Sequence, residues 1–119
     1  MSLGALGERL AARHLKRAGL RVLVHNYQSP AGQIDLIASD LETLVFVEVK
    51  TRTLDEESDG EMPVRGFQCE QIARAAKYFC MQPAARYRPC RFDVVTVALG
   101  PDGETKIEHV ENAFQPKLR

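Results

Sequence analysis

The residues with chemistry in them lie in two short stretches, Gly32-Gln33-Ile34-Asp35-Leu36-Ile37 and Val45-Phe46-Val47-Glu48-Val49-Lys50. Both read as strands, and side chains on a strand alternate between its two faces. If Ser39 faces Leu44 across a loop at 40–43, then Ile34, Leu36 and Ala38 face Val49, Val47 and Val45 on one apolar side. On the other side Ile37 faces Phe46, Asp35 faces Glu48 and Gln33 faces Lys50. A slip of one residue would mix the apolar and polar sets, so hydrophobic matching selects this register. It sets two carboxylates opposite each other, which destabilises a ladder. At ~5 Å and an effective dielectric constant of ~20 the repulsion is about 3 kcal/mol. A raised pKa on one acid, the Lys50 ammonium or a bound cation would relieve it. Mg²⁺ is commonly held by one or two carboxylates together with substrate phosphates and water. Two acids beside a lysine therefore suit metal-assisted hydrolysis of a phosphodiester. The alternative is a polar patch with a Glu48–Lys50 ion pair.

These strands need a scaffold. Leu3, Leu6 and Leu10, and Ala11, Leu15 and Ala18, recur at helical spacing and predict an amphipathic helix over 3–18, stopped by Gly19. Strands follow at 20–27, 33–39 and 44–51, with Ser29-Pro30-Ala31-Gly32 as the first turn. An acidic loop at 52–65, expected to be mobile and to gate the site, leads to a second helix at 67–81 with Phe67, Ile72, Ala76 and Phe79/Cys80 inward. Strands at 91–99 and 106–110 flank the turn Gly100-Pro101-Asp102-Gly103, and a short tail begins at Asn112. The order α-β-β-β-α-β-β predicts an α/β (α+β) protein with a central mixed sheet of about five strands flanked by helices.

With 119 residues the chain is expected to be a single domain, 1–119, since halving it would leave pieces too small for a core. Its 45% hydrophobic and 27% charged residues exclude a wholly disordered chain. No apolar run approaches the ~20 residues of a membrane span. Glu8, Arg9 and Arg13 interrupt any secretory apolar region, so a cytoplasmic location is expected. Three cysteines, Cys69, Cys80 and Cys90, with no C-x-x-C argue against a disulfide framework or zinc ribbon; buried, inert thiols are expected. Sixteen bases cancel sixteen acids, yet the charges are segregated. Bases collect on the first helix, where Arg9, Arg13 and Arg17 form a stripe, and again over 65–91, while five acids and no base occupy 55–61. Local patches, not net charge, set the field a phosphate backbone meets.

The stretch Gly32-x-Ile34-Asp35-Leu36-Ile37 followed by Phe46-Val47-Glu48-Val49-Lys50-x-Arg52 resembles the signature of the PD-(D/E)XK nuclease superfamily. More closely the chain resembles the bacterial YraN family, also called UPF0102, which is similar to archaeal Holliday-junction resolvases. The likeness runs nearly end to end, through Gly7-Glu8, Ala12, Leu15, Gly19, Asn26-Tyr27, Ala75-Ala76-x-Tyr78, Phe92-Asp93-Val94 and Asn112-Ala113-Phe114. It implies a restriction-endonuclease-like sheet. It implies that Asp35 and Glu48, with the Val49 carbonyl, ligate Mg²⁺ or Mn²⁺, that Lys50 is catalytic, and that Glu8 reaches the same site from the first helix. The chain departs from the family's pattern at Gln33, where Glu is common, and at Gln68, where Lys is common; each removes a charge near the expected site.

The function expected is metal-dependent, endonuclease-like hydrolysis of nucleic acid, with branched DNA among the substrates. Asp35, Glu48, Lys50 and Gln33 would form the catalytic cluster, and Arg9, Arg13, Arg17, Arg52, Arg74 and Lys77 would contact phosphates. A chain this small covers few phosphates, so a homodimer is expected on a two-stranded substrate. The competing reading is a non-catalytic nucleic-acid-binding or scaffold module with a degenerate site, favoured by Gln33, Gln68 and the neutral charge.

Overall fold

The computed structural model describes residues 2–54 and 66–116, with side chains in the second stretch from Cys69 onward. Most of the acidic loop expected at 52–65, and the side chains of Phe67 and Gln68, lie outside the described residues. The elements are α1 (Leu3–Arg17), β1 (Arg21–Ser29), β2 (Gly32–Asp40), β3 (Thr43–Thr53), α2 (Gly66–Cys80), β4 (Cys90–Leu99) and β5 (Thr105–Phe114). The strands form one mixed sheet in the order β1-β2-β3-β4-β5. Neighbours pair antiparallel except β3 and β4, which run parallel. Parallel neighbours need a long crossover, and α2 lies within it. The expected α+β architecture and element order are those observed. Among the described residues no helix is long and apolar enough to cross a membrane.

The helices cover opposite faces of the sheet. Ala11, Ala12 and Leu15 of α1 pack on Leu36, Ala38, Val45, Val47, Val49, Val95 and Val97. Ile72, Ala75, Ala76 and Phe79 of α2 pack on Ile34, Ile37, Leu44, Phe46, Phe92 and Val94. The α1 helix opens on Ser2, whose hydroxyl oxygen accepts the Ala5 N–H at 3.1 Å and so satisfies one of the free amides of the first turn. Gly7 is buried where α1 crosses β3: a β-carbon there would lie 2.9 Å from the Thr51 Cβ and closer still to its hydroxyl. Only glycine permits that approach.

The β2–β3 register is the expected one from Leu36–Val47 to Asp40–Thr43, which shortens the connection to a two-residue turn at Leu41-Glu42. The expected pairs Ile34–Val49, Asp35–Glu48 and Gln33–Lys50 are not rungs of the ladder. The expected face of Ile34 is also corrected: it packs with Ile37 under α2, not with Leu36 and Ala38 under α1. The cause lies in both strands at one level. Tyr27 pairs with Ile34 and His25 with Leu36, but Asn26, between them, has a left-handed φ of 55°. The side-chain alternation therefore switches at Asn26 and Asp35 together. Residues beyond that level, Tyr27 and Ile34, take the face that an unbroken pleat would deny them.

A comparable device lengthens β5, expected to end at Val110. Asn112 has a φ of 53° and its N–H bonds to the Asp93 carboxylate at 2.9 Å, so the strand continues past an irregular rung to Phe114. Asp93 is fully buried; it also meets His109 Nε2 at 2.8 Å and Arg91 Nε at 3.1 Å. Burial pushes its pKa up, but the His109, Asn112 and Arg91 hydrogen bonds prevail and hold it below the ordinary aspartate value. The cysteines are free and half-buried rather than fully buried, and Cys80 and Cys90 meet at 3.7 Å between sulfurs. Burial, then its neighbour Cys80, pushes the Cys90 thiol up to about 12.

Candidate active site

The strands part where the ladder ends, and the chemically competent residues gather there. Asp35 Oδ2 accepts the Val49 N–H at 2.8 Å. A side-chain carboxylate thus takes a place in line with the ladder, fixing the acid by backbone geometry. Glu48, one residue earlier on β3, stands within hydrogen-bonding reach of Asp35. Its side chain is only 16% exposed, and Lys50 Nζ lies 3.8 Å from its Oε1. Glu8, half-buried on α1, feels the Asp35 charge, and its pKa is raised first by burial and then by that charge. On the α2 side Glu48 influences Cys69. The cluster thus lies between the two helices.

Glu48 carries the largest electrostatic burden. Burial and then the Asp35 charge push its pKa up to about 7, helped by the hydrogen bond with Asp35 and by Glu8, while Lys50 opposes them. Two carboxyl groups crowded in this way hold a place for positive charge. Among the described residues no three His, Cys, Asp or Glu side chains gather as a ligand set. Glu8 is near enough for its charge to raise the Glu48 pKa and to feel that of Asp35. Two carboxylates still fit Mg²⁺ or Mn²⁺, which complete their shells with water and phosphate oxygens. A strand residue directs its N–H and C=O to the same side. The Val49 carbonyl thus faces β2 beyond the last rung.

Gln33 does not face Lys50. It is exposed, pairs with Gln28 on β1, and its Oε1 accepts the Gln28 Nε2–H at 2.9 Å. The switch at Asp35 separates it from β3, so it is not gathered with the other three.

The basic residues fall into two groups. Arg9 and Arg13, with Lys16 and with His25 of β1, surround a hollow of about 270 Å³ beside Ala12. Arg17 is exposed on the last turn of α1 and does not line it. The cationic stripe is therefore Arg9-Arg13-Lys16. Its i, i+4, i+7 spacing was legible in the sequence; His25, brought from another strand, left no such signal. Arg74 and Lys77 are exposed on α2 and line a separate hollow with Tyr78. Arg52 is half-buried on β3, opposite Ala98 in the parallel ladder.

Comparison with known proteins places the chain in a family. Residues 7–97 match the model of Uncharacterised protein family UPF0102. The chain is 39% identical over 112 residues to the UPF0102 protein STH1475 of Symbiobacterium thermophilum, covering 94% of this chain and 95% of that one. It is 42% identical over 118 residues to the UPF0102 protein CT2262 of Chlorobaculum tepidum, covering 94% and 91%. It is 37% identical over 113 residues to a UPF0102 protein of Pelotomaculum thermopropionicum, covering 94% of each. The match runs from within α1 through β1, both strands of the carboxylate cluster and α2 to most of β4, and the chain belongs to the UPF0102 family.

Proposed function

We propose that this protein is a Mg²⁺- or Mn²⁺-dependent phosphodiesterase of the PD-(D/E)XK kind that cuts nucleic acid, with DNA as the first substrate to test. The observation that carries this reading is the Asp35–Glu48 pair, two carboxylates pressed together beside an ammonium at the point where two strands part. When bound, the metal supplies Lewis acidity toward the phosphate and acidifies a water. Asp35, fixed by the Val49 N–H, and Glu48 would hold it. Lys50, tethered by Glu48, stabilises negative charge building on the phosphate oxygens. Arg9, Arg13 and Lys16 on one side and Arg74 on the other meet the flanking phosphates, positioning the backbone without reading sequence.

The test is cleavage of linear and branched DNA and of RNA, in Mg²⁺ and in Mn²⁺, by the wild type, Asp35→Asn and Lys50→Ala. Cleavage by the wild type should fall at least ~10²-fold in either variant. Equal rates in all three would identify a contaminating nuclease and defeat the site. A second reading, a binding module without turnover, is favoured by Gln33, whose uncharged amide is engaged by Gln28. Nucleic-acid binding that persists without metal, alongside no cleavage of any substrate, would establish it instead.

A further inference from the structure

The outer stripe of α2 carries a feature that metal-dependent hydrolysis does not require. Arg74, Lys77, Tyr78 and Met81 recur at i, i+3, i+4 and i+7 and, with Ala31 of the β1–β2 turn, line a hollow of about 420 Å³. That volume lies within the range of small-ligand sites. Two large side chains in it are left to solvent, Tyr78 at 44% and Met81 at 66% exposed. The opposite stripe of α2 is anchored: Ile72, Ala75, Ala76 and Phe79 are buried, and the Phe79 ring stands edge-on to Tyr27 at 5.4 Å. The exposed ring therefore stands on a rigid support.

We propose that this hollow seats an unpaired nucleobase, its ring against Tyr78 and its phosphates on Arg74 and Lys77, so that the neighbouring site acts on single-stranded segments of nucleic acid. An aromatic face with cations around it is the means by which single strands are held with little regard to sequence. A base inside a duplex is stacked and paired and does not present its face to such a hollow; a splayed base does. The charged side chains of the lining, Arg74 and Lys77, are both basic, and basic groups beside an aromatic ring suit a phosphate-bearing strand. Its position also serves the cluster. The Gln71 side chain lies 3.0 Å from where a β-carbon on Gly32 would stand, so the same helix is packed against the start of β2. From Ala31 along that strand to Asp35 is about 13 Å at ~3.3 Å per residue, a span of a few nucleotides at most.

The proposal rests on the phosphodiesterase reading for its functional meaning, but it is tested by binding alone. Fluorescein-labelled single-stranded DNA and RNA of about 12 nucleotides, and the corresponding DNA duplex, are titrated in EDTA at low salt with the wild type, Tyr78→Phe, Tyr78→Leu and Arg74→Ala. Circular dichroism verifies that each variant is folded. The wild type should prefer single strands. Tyr78→Phe should retain that preference, because the ring remains. Tyr78→Leu should weaken single-strand binding about tenfold and leave duplex binding unchanged. Arg74→Ala should weaken both. DNA and RNA arms of equal strength would assign the base and phosphate as the recognised groups; a gap between them would assign the sugar as well, with the pocket intact. The pocket is overturned if Tyr78→Leu leaves single-strand affinity unchanged or lowers single-strand and duplex affinity alike. Either result leaves cleavage at Asp35 and Glu48 untouched, whereas loss of cleavage with Tyr78-dependent binding retained would sink the nuclease reading alone.

Discussion

Glu48→Gln should make the protein more stable at pH 8 and leave it almost unchanged near pH 4. In the folded chain the Glu48 pKa rises from 4.5 to about 7, through burial first and then the Asp35 charge. Between those values the folded state keeps a proton that the unfolded chain has released. Stability contributed by this group is thus complete below pH ~4.5 and is lost as pH rises through ~7. A shift of this size has a ceiling of roughly 3 kcal/mol, and about 2 kcal/mol remains after allowing for the solvent that still reaches the side chain. Glutamine keeps the shape and a donor toward Asp35 while removing the charge. The gain at pH 8 should be about 2 kcal/mol, or roughly 6–10 °C in Tm for a chain of this length. Urea unfolding of both proteins across pH 4–8 measures it, and the histidines cancel in the difference. A variant no more stable than the wild type at pH 8, or a difference that does not vary with pH, would refute the crowding of Asp35 and Glu48. A variant that gains stability while losing cleavage would show that the strain belongs to the site's chemistry.

Millimolar Mg²⁺ or Mn²⁺ should raise Tm at pH 8, less so at pH 5 where Glu48 holds its proton, and the shift should vanish in Asp35→Asn; an equal shift in that variant would place the ion elsewhere. Asp93→Ala should cost about 3–5 kcal/mol in urea unfolding, because it leaves Arg91 and the Asn112 N–H without their buried acceptor. Since Asp93 is held below its ordinary pKa, the stability it lends is present at neutral pH and lost below pH ~4, and an acid unfolding curve unchanged in Asp93→Asn would contradict that. Gly7→Ala should destabilise by about 1–3 kcal/mol as α1 is pushed from Thr51, with part of the loss recovered by adding Thr51→Ala; additive losses would mean the two do not touch.

Much of this arrangement is written locally. Alternation of Val45, Val47 and Val49 against Phe46, Glu48 and Lys50 fixes β3, and matching it to Leu36, Ile37 and Ala38 fixes the register where the ladder is regular. What alternation cannot reveal is a place where the pleat breaks, because the break is made jointly. Nothing within Ile34-Asp35-Leu36 signals it; the left-handed Asn26 on the partner strand does. For that reason unbroken alternation predicts the wrong face for Ile34 and sets Gln33 opposite Lys50. Asp93 left a clearer trace, an acid inside the apolar run Phe92-Asp93-Val94-Val95, which on a buried strand requires partners. Those partners, Arg91, His109 and Asn112, come from the same strand and its neighbour, and only the family likeness had singled out that segment.

The sheet order also has a kinetic meaning. Strands β1, β2 and β3 follow one another and pair with their immediate neighbours, so the contact between Asp35 and Val49 spans only 14 residues of chain. The parallel seam between β3 and β4 must wait for α2 and both its flanking segments to be crossed. Short closures precede long ones. The carboxylates therefore meet in a meander that is still wet, where two charges at ~4 Å repel by only about 1 kcal/mol. On this order their full antagonism is expected only once the parallel seam with β4 closes. Relieving it by Glu48→Gln should accordingly slow unfolding while leaving the folding rate nearly unchanged.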